Sequence, residues 1–161
     1  MQEMAAKQED DLMLFFNNAL KKMYWAEKNI ERLLDQMHVE AFSINLKNTI
    51  EIHQLQTRRH IQRLEQVFKE RELKPEGRFC EALKGLLNDA MVGFSDTVRK
   101  TRIRDVAIST CLLKITHYEM ATYTMLIHMA QAIGWHAIVD LLHQNLAEEK
   151  EIVTELDRRP Y

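Results

Sequence analysis

The chain has 161 residues, a formal net charge of −2, nine methionines, and only four glycines and two prolines. That length suits one domain able to bury its own core, and the scarcity of chain breakers argues for long helices. A pI near 6.4 gives no electrostatic case for nucleic acid or an anionic membrane surface, and no run approaches the ~18 apolar residues of a membrane span.

Met1 to Asp11 is polar and acidic, with no apolar h-region, so no signal peptide is expected. Residues 1–9 read as a disordered or ragged lead-in, and residues 10–158 as one helical domain. From Asp10 the apolar positions Leu12, Phe16, Ala19, Leu20, Met23, Ile30, Leu34 and Met37 recur at steps of three and four, the mark of a helix of about seven turns. Glu27 lies in the middle of that stripe. The pattern breaks at His38 to Phe42, and Ser43 is an N-cap candidate for a second helix. That helix carries Leu46, Ile50, His53, Thr57, His60, Leu64 and Val67 inward, with Gln56 beside the polar three. Arg58, Arg59, Gln62, Arg63 and Lys69 fall on its other side, and it ends near Leu73, ahead of the turn Pro75-Glu76-Gly77.

A shorter helix is expected from about Phe79 to Val92, inside a long crossover, followed by an exposed polar stretch from Gly93 to Arg102. Cys80 and Cys111 are the only cysteines and form no CxxC pair; they read as buried thiols, and a reducing cytosol fits. A third long helix runs from about Ile103 to Ala132, with Gly134 placed to end it. Its stripe is Ile108, Leu112, Ile115, Glu119, Thr122, Leu126, Met129 and Ile133, where Glu119 is the one charged member. A fourth runs from Trp135 or His136 to about Asp157, with Ile138, Leu142, Asn145, Glu149, Ile152 and Leu156 inward and Arg158-Arg159-Pro160 closing it. The predicted architecture is all-α: two helical hairpins joined by a long crossover with a short fifth helix, the ferritin-like form of the four-helix bundle.

Each long helix thus carries polar residues near the middle of its inward stripe. A lone carboxylate there costs several kcal/mol unless paired, protonated or bound to a metal. Glu27, Glu119 and Glu149, with His53 or His60 and Gln56, form a layer of the kind that binds Fe, Mn or Zn, and two divalent cations would offset the repulsion among three carboxylates. The six-ligand form of such a site takes Glu from two helices and Glu-x-x-His from the other two. This chain has His53-x-x-Gln56 and Glu149-x-x-Ile152 instead, so one or two ions per chain, or none, remain open. His53 and His60 stand seven residues apart, ~10.5 Å along a helix, too far for one ion to hold both. Glu148 and Glu149 are alternatives about 100° apart on their helix. Tyr24, Tyr118 and Tyr123 are candidates to donate to the layer, Tyr24 most easily because it lies three residues before Glu27. His117, two residues from Glu119 and so about 160° away on the helix, reads as a second-face or interface residue, and His128, His136 and His143 read as exposed.

The runs Tyr24-x-Ala26-Glu27-Lys28, His53-x-x-x-Thr57, Arg63-Leu64-Glu65-Gln66-Val67-Phe68, Cys80-x-Ala82-x-x-Gly85-Leu86, Arg104-Asp105-x-Ala107, His117-Tyr118-Glu119-x-Ala121-x-Tyr123 and Glu148-Glu149-Lys150 resemble the YciE/YciF-like bacterial proteins, a ferritin-like family of unknown function. The likeness runs from about Leu14 to Leu156. It implies a ferritin-like domain, the bacterial cytosol, a homodimer, a link to stress response, and a candidate two-metal site. Glu27, His53, Glu119 and one of Glu148 or Glu149 match the family's positions. Gln56 departs from it, standing where the family usually has Glu.

Three functions follow. The first is a metal-binding protein acting on iron, peroxide or another small oxidant. The second is a structural or interaction protein in which the polar layer sets helix register. Storage in a cage ranks last. Nothing in the sequence identifies a catalytic residue or decides whether the protein is an enzyme.

Overall fold

The computed structural model describes residues 2–158, with side chains described from residue 7. Five helices account for nearly all of it: α1 (Gln2–Glu40), α2 (Ile44–Glu70), α3 (Glu81–Ser95), α4 (Arg102–Ile133) and α5 (His136–Asp157). The all-α expectation holds, with the four long helices bundled and the short one in the crossover. No helix among the described residues is long and apolar enough to cross a membrane.

The helix starts follow local chemistry. Ser43 caps α2, its hydroxyl accepting from the Leu46 N–H at 3.3 Å, and Thr101 caps α4 by accepting from Arg104 N–H at 3.3 Å. Gly134 ends α4 with φ of +84°, the left-handed conformation in which only glycine escapes Cβ strain. The N-terminus differs from expectation. Helix α1 begins at Gln2 rather than Asp10, because Gln, Glu, Met, Ala and Lys are all good helix formers. Met1 and residues 159–161 lie outside the described residues.

Hydrogen bonds between helices set the directions. Gln54 donates to Asp35 and Tyr24 to Glu65, so α1 and α2 run antiparallel. Gln56 reaches Glu151 while Arg63 reaches Asn145 and Glu148, so α2 and α5 are antiparallel too. Near one end of the bundle Phe42 N–H donates to Asp105, and near the other the Phe16 and Trp135 rings meet edge to face at 5.2 Å, so α1 and α4 oppose each other as well. The helices therefore form a closed ring in the order α1, α2, α5, α4, each antiparallel to its neighbours.

The crossover lies against the outside of this ring. Residues 71–80 run back along α1, where Arg78 N–H donates to the Lys21 carbonyl at 2.9 Å. Gly77 sits so close to Trp25 that an added Cβ would stand 3.1 Å from the Trp25 Cβ, which is the reason a glycine follows the turn here. Helix α3 then packs on α4 through Leu83 and Ala90.

The core is a continuous apolar column. Phe16, Leu20, Met23, Ile30, Leu34 and Met37 of α1 are completely buried, as are Ile50, Leu64, Val67 and Phe68 of α2. Burying each of these side chains contributes roughly 1.5–3 kcal/mol. The column is interrupted at one level, where every helix of the ring contributes polar side chains.

Candidate metal centre

At that level Glu27, His53, Thr57, His60, Glu119, Asn145 and Glu149 are all fully buried. Each is inward because its helix places it in phase with the apolar residues above and below: Glu27 between Met23 and Ile30, His60 between Thr57 and Leu64, Glu119 between Ile115 and Leu126, Glu149 between Leu142 and Ile152. Glu27, His60, Glu119 and Glu149 each present one oxygen or nitrogen such that all four atoms lie within 4.8 Å of one another. His60 Nδ1 stands 3.2 Å from Glu27 Oε1 and 3.2 Å from Glu149 Oε1. His53 Nε2 adjoins the group, 3.5 Å from Glu149 Oε1 and 3.9 Å from Glu119 Oε2.

The sequence prediction named Glu27, His53, Gln56, Glu119 and Glu149. The structure brings the three glutamates together from three helices, as expected. The histidine at their centre is His60, with His53 to one side. Gln56 is buried but turned along the α2–α5 seam, its amide nitrogen donating to Glu151 Oε2 at 3.1 Å while its Oε1 has no partner. Between the adjacent pair, Glu149 faces inward and Glu148 lies at the rim, its side chain 16% exposed. The helix phase alone separates them.

Tyr24 is not the tyrosine that donates to the layer. It donates outward to Glu65 at 2.9 Å, and Tyr118 meets the Cys80 sulfur. The hydroxyl of Tyr123 donates to Glu27 in a short, fully buried bond and itself accepts from Asn145 Nδ2 at 3.0 Å. Tyr123 stands four residues after Glu119, one turn along the same face of α4, and displaces Thr122 from the expected stripe. A further residue escaped the sequence pattern. Arg63, placed on the solvent side by its charge, folds its stem against the bundle and forms a two-pronged bond to Glu148, both nitrogens at 2.9 Å. The spacing from His60 to Arg63, three residues, was the signal that could have found it.

The fit of a cation is tested by the polar atoms themselves. Glu27 Oε2, both oxygens of Glu119, both oxygens of Glu149, His53 Nε2 and His60 Nδ1 are buried without an aligned hydrogen bond. Native interiors leave few such atoms, and each costs ~1–3 kcal/mol or more when charged. Here they converge from four helices on one point, and their chemistry, hard carboxylate with imidazole, is that of an Fe, Mn or Zn centre. The residues present fit such an ion.

Without an ion, the charges sort themselves by neighbour. Burial pushes the Glu119 carboxyl well above its usual range, and the adjacent charges of Glu149 and Glu27 push it further. Burial acts the same way on Glu149, but His53 and His60 outweigh it and hold that carboxyl below its usual range. Burial pulls the His60 ring down, yet Glu27 and the contacts from Glu148 and Glu149 overcome it and raise it well above 6.5. The Tyr123 hydroxyl is raised by burial and then by Glu27. The surroundings therefore favour the ionised form of Glu149, the protonated form of Glu119 and the cationic form of His60.

Comparison with known proteins gives the same architecture. Residues 11–158 match the family described as "Domain of unknown function (DUF892)". The protein YciF of Escherichia coli K12 is 32% identical over 136 residues, spanning 84% of this chain and 81% of that protein. Among solved structures, YcfI of Rhodopseudomonas palustris, provisionally named a structural protein, superposes with a TM-score of 0.89 at 33% identity, over 93% of this chain and 95% of that one. The crystal structure of the E. coli stress protein YciF superposes with a TM-score of 0.84 at 29% identity, over 91% and 92%.

Proposed function

The chain belongs to the DUF892 family of YciF-like proteins, and from that premise we propose that it is a stress-associated metal-binding protein. In this reading the carboxylate and histidine cluster of the bundle core holds Fe, Mn or Zn and acts on iron or a small oxidant. One observation carries it: four donor atoms from α1, α2, α4 and α5 lie within 4.8 Å of one another, and the carboxylate oxygens of Glu119 and Glu149 have no other hydrogen-bond partner. Glu27, His60, Glu119 and Glu149 would hold the ion, with His53 beside Glu119 and Glu149 as a donor for a second. A bound transition metal would supply Lewis acidity and, for Fe or Mn, one-electron chemistry.

The chain's own residues have definable roles in such a centre. The bundle core excludes bulk water, since the cluster residues are completely buried. Tyr123, through its bond to Glu27, holds a proton at a carboxylate oxygen and fixes that carboxylate's rotamer. His60 and Glu119 hold protons that a cation would displace, so binding would release protons to solvent. A homodimer in the cytosol is the setting that the family suggests.

The test is metal content. Protein purified without chelator should carry Fe, Mn or Zn by mass spectrometry, and Glu119→Ala should lose it. A wild-type protein that takes up no metal under any loading condition removes this reading. A second reading then stands, a non-catalytic structural or interaction protein. It draws on the same layer, because the charge states above can be settled among Glu119, Glu149 and His60 with no ion present.

A further inference from the structure

Among the described contacts Arg63 makes no hydrogen bond or ion pair to the four clustered residues, yet two chains of contacts run from it to two of them. Its guanidinium donates from both terminal nitrogens to the Glu148 carboxylate at 2.9 Å. Glu148 Oε2 in turn stands 3.0 Å from His60 Nε2, an ionic contact without hydrogen-bond alignment on the ring edge facing away from the cluster. His60 Nδ1 on the opposite edge meets Glu27 and Glu149. The second chain begins on the same Arg63 nitrogen, which also donates to Asn145 Oδ1 at 2.9 Å. Asn145 Nδ2 donates to the Tyr123 hydroxyl at 3.0 Å, and Tyr123 donates to Glu27. Both arms are closed at the rim, where the Arg63 and Glu148 side chains are each 16% exposed. Arg59 adds only a 3.8 Å contact to Glu148 from a side chain 60% exposed.

We infer that Arg63 is the positioning residue of the buried centre, orienting the His60 ring through Glu148 and the Glu27 carboxylate through Asn145 and Tyr123. This inference rests on the proposal that the cluster is a metal centre. The guanidinium suits the task because it is planar and offers several donors in fixed directions, so one residue sets two partners at a fixed angle. A carboxylate against the outer nitrogen of an imidazole leaves the inner nitrogen's lone pair for an ion and fixes the ring plane. Lysine has no fork and can satisfy one arm but not both. Arginine is also the only basic group reaching both Glu148 and Asn145 among the described contacts.

Two measurements on the full-length chain test this. The first is Zn²⁺ affinity by competition with a chelating dye, for wild type, Arg63→Met and Arg63→Lys. Removal of an orienting partner typically weakens binding about 10–100-fold, and that loss is expected for Arg63→Met, with Arg63→Lys between it and wild type. The second needs no metal. Side-chain ¹⁵N signals of His60 should move in metal-free Arg63→Met while those of His53, on the same helix but outside both arms, stay in place. A general loosening of the bundle would move both. Unchanged affinity together with unchanged His60 signals overturns the inference. Should Arg63→Met fail to fold, Glu148→Ala and Asn145→Ala cut one arm each; each should weaken Zn²⁺ binding, and two neutral results overturn the inference equally. If wild type binds no Zn²⁺ at all, the proposed function fails, while the His60 signals still decide the role of Arg63.

Discussion

Glu119 and Glu149 are the same side chain at the same depth, and their surroundings shift them in opposite directions. Glu149 has two imidazoles within 3.5 Å; Glu119 has one at 3.9 Å and two carboxylates for company. The difference predicts unlike mutants. In metal-free protein Glu119→Gln replaces a protonated acid by a neutral isostere and should change stability by no more than about 1 kcal/mol. Glu149→Gln strips the His60 ring of a counter-charge in the core and should cost about 3 kcal/mol or more. Urea unfolding of both variants checks this, and equal losses would contradict the assigned charge states. At this scale the sequence could name inward residues but not their partners. His60 and His53 share a face of α2, and the approach of Glu27 and Glu148 to His60 and of Glu119 to His53 distinguishes them.

At the scale of elements, the helix ends hold the bundle in register. Asp105, in the first turn of α4, accepts the Phe42 N–H at 2.6 Å and the Ser43 N–H at 2.9 Å, one on each carboxylate oxygen. Those two donors lie in the turn between α1 and α2, where no helical carbonyl is available to them. Asp105→Ala should therefore cost about 1 kcal/mol, chiefly by leaving the part-buried Ser43 amide unpaired, with Asp105→Asn intermediate; chemical unfolding at neutral pH measures it. This joint was legible only in part. The hairpins, the Ser43 cap and the Gly134 stop follow from local patterns in the chain, and α1 overran its expected start because nothing in residues 2–9 resists a helix. The link from Asp105 spans more than sixty positions of sequence and leaves no periodic trace.

For the whole molecule, the polar layer couples stability to protons and to metal. His60 and Glu119 each bind a proton more tightly folded than unfolded, since both are raised. The stability they contribute is complete below their unfolded values and declines as pH rises toward their folded ones. Burial pushes the Glu148 carboxyl up, but the adjacent His60 ring and the Arg63 fork outweigh it and hold it down to about 2; this group acts on the acid side, where stability is lost as pH falls below the usual carboxylate range. Metal-free protein should thus lose thermal stability as pH rises above about 6.5, the ordinary histidine value. With Zn²⁺ the trend should reverse, because the ion displaces those protons and binds better as pH rises. Excess ion at ~100 times Kd should add about 2.7 kcal/mol. Calorimetry across that range, with and without Zn²⁺, reads both; a Zn²⁺-independent profile would argue for the structural reading.

By itself the sequence determined the helices, their order, their inward faces and the depth of Glu27, Glu119 and Glu149, because a 3.6-residue period records which side of a helix is buried and where polarity interrupts it. The tertiary structure alone decided which side chains meet: His60 at the centre, Tyr123 rather than Tyr24 on Glu27, Glu148 at the rim, and Arg63 joining the two arms. Such contacts depend on the rotation and offset of one helix against the next, and periodicity within a single helix carries no information about either.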